Sequence, residues 1–256
     1  MGHKVDHKWG MVIDLDRCSG CQACVVACQA ENNIPINNKD SFLQHRAYSW
    51  IRVERYWEGE FPNVKARFIP VLCQHCENAP CEPVCPVYAT YHNDEGLNVQ
   101  VYNRCVGTRY CANNCPYQVR FFNWWEPVWP KRLRNQLNTD VTVRSRGIME
   151  KCSFCIQRLR RGEITVEHQQ GKTLDSAAMK AGNFAPACVN ACPTNALMFG
   201  DQADTTGPVQ KYFEDLNQHE HGEETTRGYR LLGELGTKPN VIYLKKFDMF
   251  PLTKSE

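Results

Sequence analysis

Apolar residues in this chain occur in short runs separated by polar stretches. The runs "WGMVIDL" at 9–15, "ARFIPVL" at 66–72 and "LNVQVY" at 97–102 are bounded by polar and turn-forming residues, which predicts three strands. Segments 22–31 and 153–162 carry the spacing of short helices. Farther on, "PVQKYFEDLNQ" at 208–218 predicts a helix and "NVIYLKKF" at 240–247 a strand. No run approaches the roughly 20 apolar residues that a membrane-crossing helix needs, so no span is expected. The N-terminus, "MGHKVDHKWG", has no hydrophobic stretch and no cleavage site, so no export signal is expected there.

Composition changes this picture at one point. The chain has 256 residues and a net charge of +2, enough for a real core and too balanced for a nucleic-acid binder. It also has 15 cysteines. An odd count cannot pair completely as disulfides within one chain, and a chain of this length does not need such staples. Metal binding is the better hypothesis.

Every cysteine belongs to a group. The first is "CSGCQACVVAC", with Cys18, Cys21, Cys24 and Cys28. The second is "CQHCENAPCEPVCP", with Cys73, Cys76, Cys81 and Cys85. The third, "CVGTRYCANNC", holds Cys105, Cys111 and Cys115, and Thr108 stands where the rhythm calls for a fourth. The last is split between "KCSFC", Cys152 and Cys155, and "ACVNACP", Cys188 and Cys192. The first group has the C-x2-C-x2-C-x3-C spacing of bacterial ferredoxins, in which the fourth cysteine ligates the other cluster of a pair. Two-residue spacers wrap a tight loop about one corner of a cubane, and successive backbone N–H groups then point at its sulfides. Pro86, Pro116 and Pro193 directly follow the last cysteines of their groups and stop the short helices, whereas Cys28 is followed by Gln29. Residues 156–187 form a long insertion in the split group, which a loop carries at small entropic cost.

The competing reading is a zinc-bound structural module. Zinc takes four ligands in two separated pairs, and four cysteines within eleven residues are too dense for that. His75 reads as a spacer, "HEH" at 219–221 as a solvated helix end, and the aromatic stretch 117–130 as packing or partner contact. Arg17, Arg104 and Lys151 each precede the first cysteine of a group, as offsets to cluster charge or as ordinary surface charges. There is no nucleotide-binding glycine loop, hydrolase triad or substrate-pocket signature. Clusters held wholly by cysteine leave no open site for chemistry, so the inference is electron transfer.

Strand, cysteine loop and short helix, repeated, predict an α+β fold of duplicated dicluster ferredoxin-like units with an added C-terminal extension. Groups two and three lie 19 residues apart and define an inserted unit at 65–145. Residues 1–64 with 146–200 form the outer unit, and 201–256 a docking or covering extension.

With "CVGTRYCANNCPYQVRFFNW" and "TRGYRLLGELGTKPNVIYLKK", the chain resembles the four-cluster iron–sulfur electron-transfer subunits of the complex iron–sulfur molybdoenzyme family. Within it, the missing ligand in group three is similar to the iron–sulfur part of alternative complex III and to the iron–sulfur subunits of menaquinone reductase complexes (Qrc). The resemblance implies a first cluster on Cys18, Cys21, Cys24 and Cys192, and a second on Cys152, Cys155, Cys188 and Cys28. It implies a third on Cys73, Cys76, Cys81 and Cys115, and a fourth on Cys105, Cys111 and Cys85, with Thr108 at the vacant position. The expected cofactors are three 4Fe–4S clusters and one 3Fe–4S cluster. The expected partners are a molybdopterin-type or related large subunit, a multihaem cytochrome subunit and an integral membrane quinone-binding subunit. The implied location is peripheral, on the periplasmic face through an exported partner, with the cytoplasmic face as the alternative. A subunit of a true sulfite, polysulfide or formate enzyme is the second reading.

Overall fold

The computed structural model describes residues 7–218 and 226–247; the "HEH" motif lies outside them. A four-stranded sheet anchors the fold. Its central strand is β1 (Trp9–Asp14), buried along its whole length. After the first cysteine loop come α1 (Ala23–Glu31), a short α2 (Lys39–Leu43), and the hairpin of β2 (Ile51–Glu58) and β3 (Lys65–Leu72). Two short ribbons follow, β4 (Thr90–His92) with β5 (Asn98–Gln100), and β6 (Phe121–Phe122) with β7 (Met149–Glu150). The single-turn α3 (Tyr110–Asn113) lies between them in sequence. The 156–187 insertion is largely helical, with α4 (Ile156–Gln170) and α5 (Ser176–Ala181), and leads into α6 (Ala187–Asn190). The chain then supplies β8 (Leu197–Asp201), α7 (Gln210–Gln218), β9 (Gly228–Tyr229) and β10 (Val241–Leu244).

The sheet order is β8-β1-β10-β9, with β10 parallel to β1 and β8 antiparallel to it. Both faces of the two central strands are covered. Met11 and Ile13, with Val241 and Tyr243, face the main core, while Val12, Ile242 and Leu244 pack with Val209 and Phe213 on the other side. A run such as "VIYL", apolar at every position, is what a strand buried on both faces requires. Gly10 lets α7 approach: a methyl there would meet the Phe213 ring at 2.7 Å.

Several sequence expectations shift. The helix expected at 153–162 begins only at Ile156, because Phe154 and Cys155 both take left-handed φ (54° and 52°) that a right-handed helix excludes. Of "LNVQVY" only Asn98–Gln100 is strand, and Tyr102–Arg104 turns into a single 3-10 turn. The helix at 208–218 and the strand at 240–247 are present in slightly shorter form.

Candidate functional site

The cysteine loops share one backbone. In the first group Gly20 takes φ +72° and Gln22, in the left-handed region, precedes α1. In the third group Gly107 takes φ +73° and left-handed Arg109 precedes α3. Thr108 thus occupies in its turn the place Cys21 occupies in the first. The same repetition holds elsewhere. His75 and Phe154 are left-handed inside their C-x2-C turns, and Tyr88, Gln118 and Asn195 are left-handed three residues after Cys85, Cys115 and Cys192. Left-handed backbone costs a non-glycine residue about 1–2 kcal/mol, so its recurrence at matching places marks a geometric demand. That demand is visible at sulfur: backbone N–H groups turn inward and donate to it. Ala89 donates to Cys85 Sγ (3.1 Å) and Ala196 to Cys192 Sγ (3.2 Å), while Met149 donates to Cys105 Sγ and Phe154 to Cys152 Sγ (both 3.4 Å). The Asn32 amide donates to both Cys28 Sγ (3.6 Å) and Cys155 Sγ (3.5 Å).

The fold brings the 15 thiols, all free, into four sets. Cys18, Cys21, Cys24 and Cys192 line one small cavity. Cys73, Cys76, Cys81 and Cys115 line another. Cys28 is buried where Cys155, Cys152 and Cys188 act on it. Cys111 faces Cys105 and Cys85. The sets also follow one another in space. Cys188 of the second feels Cys24 of the first, and Cys152 of the second feels Cys73 of the third.

Burial opposes the charged thiolate. It pushes Cys24 and Cys81 up to about 11, Cys76 and Cys152 up to about 12, and Cys28 and Cys188 well above the ordinary range. Cys192 differs: burial raises it, but backbone N–H groups of Leu197, Ala196 and Thr194 with the Thr194 hydroxyl bring it below the usual value. Metal binding must therefore displace protons from most of the set.

Two cations are buried among these thiols with no carboxylate partner within ion-pair distance among the described residues. Arg120 is 6% exposed and its charge acts on Cys81, Cys73, Cys111 and Cys115. Lys151 is 1% exposed, donates from Nζ to the Cys152 carbonyl at 2.8 Å, and acts on Cys152 and Cys81. A buried cation is costly unless an anion faces it. Soft, buried thiolates in sets of four or three, N–H donors aimed at sulfur and uncompensated cations beside them fit iron–sulfur clusters. Among the described residues no three or more His, Cys, Asp or Glu side chains converge at single-ion spacing; in a tetrahedral zinc site each sulfur stands about 2.3 Å from the metal.

Of the three cations noted from sequence, only Lys151 is buried. Arg17 is largely exposed beside Asp14, and Arg104 is exposed. His75 is fully buried, stacks on Phe154 at 4.0 Å and accepts from the Asn98 N–H, and burial with the charges of Lys151, His92 and Arg120 keeps it neutral. Arg120 escaped the sequence reading. It lies inside the aromatic stretch 117–130, and a lone charge in "QVRFF" was its only signal.

Known families match this chain. The "4Fe-4S binding domain" matches residues 9–30 and the "4Fe-4S dicluster domain" residues 64–132. The chain is 40% identical over 245 residues to the menaquinone reductase iron–sulfur cluster-binding subunit of Nitratidesulfovibrio vulgaris, covering 93% of this chain and 89% of the relative. It is 32% identical to the arsenate respiratory reductase iron–sulfur subunit of a Shewanella species (93% and 96% covered). It is 31% identical to an Hdr-like menaquinol oxidoreductase iron–sulfur subunit of Archaeoglobus fulgidus (93% and 83% covered). The cysteines of the second and third groups and those of the first loop fall within the matched domains, and the relatives extend over nearly the whole chain. The chain belongs to the family of iron–sulfur electron-transfer subunits found in menaquinone reductase and molybdoenzyme complexes.

Proposed function

We propose that this chain wires a catalytic or cytochrome subunit to a membrane quinone-binding subunit, through three 4Fe–4S clusters and one 3Fe–4S cluster, for menaquinone reduction. The observation that carries the reading is the order of the four thiol sets. Cys24 of the first acts on Cys188 of the second, Cys73 of the third acts on Cys152 of the second, and the Arg120 charge couples to thiols of both the third and the fourth. Such a row is a path for single electrons, and clusters supply one-electron storage at each stop. The ligands are Cys18, Cys21, Cys24 and Cys192; Cys152, Cys155, Cys188 and Cys28; Cys73, Cys76, Cys81 and Cys115; and Cys105, Cys111 and Cys85. The matching turns of groups one and three support an internal duplication and the assignment of Thr108 to the vacant corner. A threonine hydroxyl is a poor iron ligand at neutral pH, which favours the 3Fe–4S form there. We assign residues 65–145 to an inserted dicluster unit, and residues 1–64 with 146–200 to the outer one. The segment from 201 is the C-terminal extension, anchored by β10 beside β1.

A partner face is supported by exposed apolar side chains in the third group and in the aromatic stretch that follows it. Val106 is 64% exposed, Tyr110 58% and Val128 70%. Among the described residues no helix is long and apolar enough to cross a membrane. We infer a peripheral subunit on the periplasmic face, beside an integral membrane quinone-binding subunit and a molybdopterin-type or multihaem large subunit.

The test is Thr108→Cys. It restores the spacing of the first group in the third. The expected result is loss of the 3Fe–4S EPR signal, a lower potential at that cluster and slower quinone reduction. Each ~59 mV lost in a one-electron step weakens its equilibrium tenfold. A persisting 3Fe–4S signal contradicts the assignment of Thr108 to the vacant corner. A lost signal with unchanged quinone reduction contradicts the role of that corner in driving electrons to quinone.

A further inference from the structure

We propose that Arg120 is a potential-setting residue shared by the third and fourth clusters, and that its fixed, uncompensated charge raises the potentials of both. This rests on the cluster assignment above. Arg120 follows the left-handed Gln118 turn and precedes β6, so its backbone is fixed on both sides. The ribbon β4–β5 cradles its guanidinium with three neutral acceptors. Nη1 donates to Gln100 Oε1 at 2.9 Å, and Nη2 to Thr90 Oγ1 at 2.7 Å and Asn98 Oδ1 at 2.6 Å. The nearest carboxylate in this network, Glu82, is engaged with His92 and with the amide nitrogen of Asn98.

An arginine buried for structural reasons normally meets a carboxylate, because an unpaired buried charge is costly. Here every acceptor is neutral, so the charge remains undiminished and faces sulfur. It lines the cavity of the third set. Its charge also acts on Cys111 of the fourth. A cation beside a cluster favours the electron-rich form. In the step between the two clusters one electron leaves the third, which is oxidised, and reduces the fourth, with no proton or group moving.

The experiment is potentiometric titration followed by EPR on the intact complex, comparing wild type with Arg120→Gln, Arg120→Lys and Gln100→Glu. In Arg120→Gln the reduction equilibria of the third and fourth clusters fall at least tenfold, ~59 mV for one electron, while the first and second are unmoved. Arg120→Lys keeps the charge and shifts them less. Gln100→Glu leaves Arg120 in place but pairs it with a carboxylate, and lowers both potentials by a smaller amount. Unshifted third and fourth potentials in Arg120→Gln, with all signals retained, overturn the proposal. If Arg120→Gln loses a cluster, Gln100→Glu decides, and unshifted potentials there overturn it equally. Absence of cluster signals from these two sets in the wild type overturns the cluster assignment instead.

Discussion

Gly107 gives the sharpest steric test of how the third cysteine group is held. It sits at φ +73°, and a methyl group there would lie 2.2 Å from the Gly147 carbonyl oxygen and 3.0 Å from the Phe122 ring. Alanine in that conformation costs about 1–2 kcal/mol from the backbone alone. The overlap is with backbone, which cannot swing aside like a side chain, and forcing it away costs about 1–3 kcal/mol more. The total is roughly 2–5 kcal/mol. Gly147 is the matched control: its φ is +88°, but a methyl there would meet nothing within 4 Å, leaving only the conformational cost of about 1–2 kcal/mol. At roughly 2–4 °C per kcal/mol for a chain near this size, Gly107→Ala lowers the melting temperature by about 4–20 °C and Gly147→Ala by about 2–8 °C. The damage is also local. The Gly147 N–H is bonded to Asn123 O at 2.8 Å, and two residues on Met149 donates to Cys105 Sγ at 3.4 Å. Displacing Gly147 therefore disturbs Cys105, and Gly107→Ala should lose iron from the fourth set before any other. Thermal melting with iron analysis checks this. Equal melting and equal iron in the two variants would refute the steric argument.

Arg144→Met should be among the most damaging substitutions away from the cysteines. Arg144 and Glu150 pair at 2.9 Å with side chains 0% and 1% exposed, and breaking such a pair costs about 3–5 kcal/mol; adding Glu150→Gln should recover part of the loss in a melting experiment. His7→Gln probes pH dependence. The hydrogen bond His7 donates to Asp201 raises His7 above 6.5, and Asp201 falls below 3.8 because its burial is outweighed by the hydrogen bonds it accepts, first that from His7. The aspartate contribution is lost as pH falls through its lowered value, and the histidine contribution as pH rises through its raised value. The melting difference between wild type and His7→Gln should therefore be greatest between about pH 4 and 6.5 and shrink in mild alkali; a pH-independent difference would contradict the ion pair.

What could be read from the sequence was whatever local spacing dictates. The C-x2-C turns, the prolines that end them and the gap at Thr108 need only neighbours in the chain. The strands β1 and β10 were legible because both faces are buried, so every residue of "VIYL" is apolar. Other elements were hidden by their surroundings. The strand β2 carries "IRVERYWE", and its exposed half, Arg55–Glu58, has no polar–apolar alternation to mark it because no core covers either face there. The aromatic stretch 117–130 proved to be two things. Tyr117, Val119, Arg120 and Asn123 are buried, while Trp125 and Val128 remain exposed. Arg120 is the clearest case of what spacing cannot show. Its importance comes from Thr90, Asn98 and Gln100, which approach it only after β4 and β5 pair.

The central claim is that four ligand sets, one of them lacking its fourth cysteine, hold four clusters of two kinds. Counting iron and acid-labile sulfide per chain, alongside EPR of the oxidised protein in its native complex, tests it most directly. About fifteen irons and a single 3Fe–4S signal are expected, from three complete sets and one incomplete set. About sixteen irons with no 3Fe–4S signal, or a colourless protein holding zinc in place of iron, would contradict it.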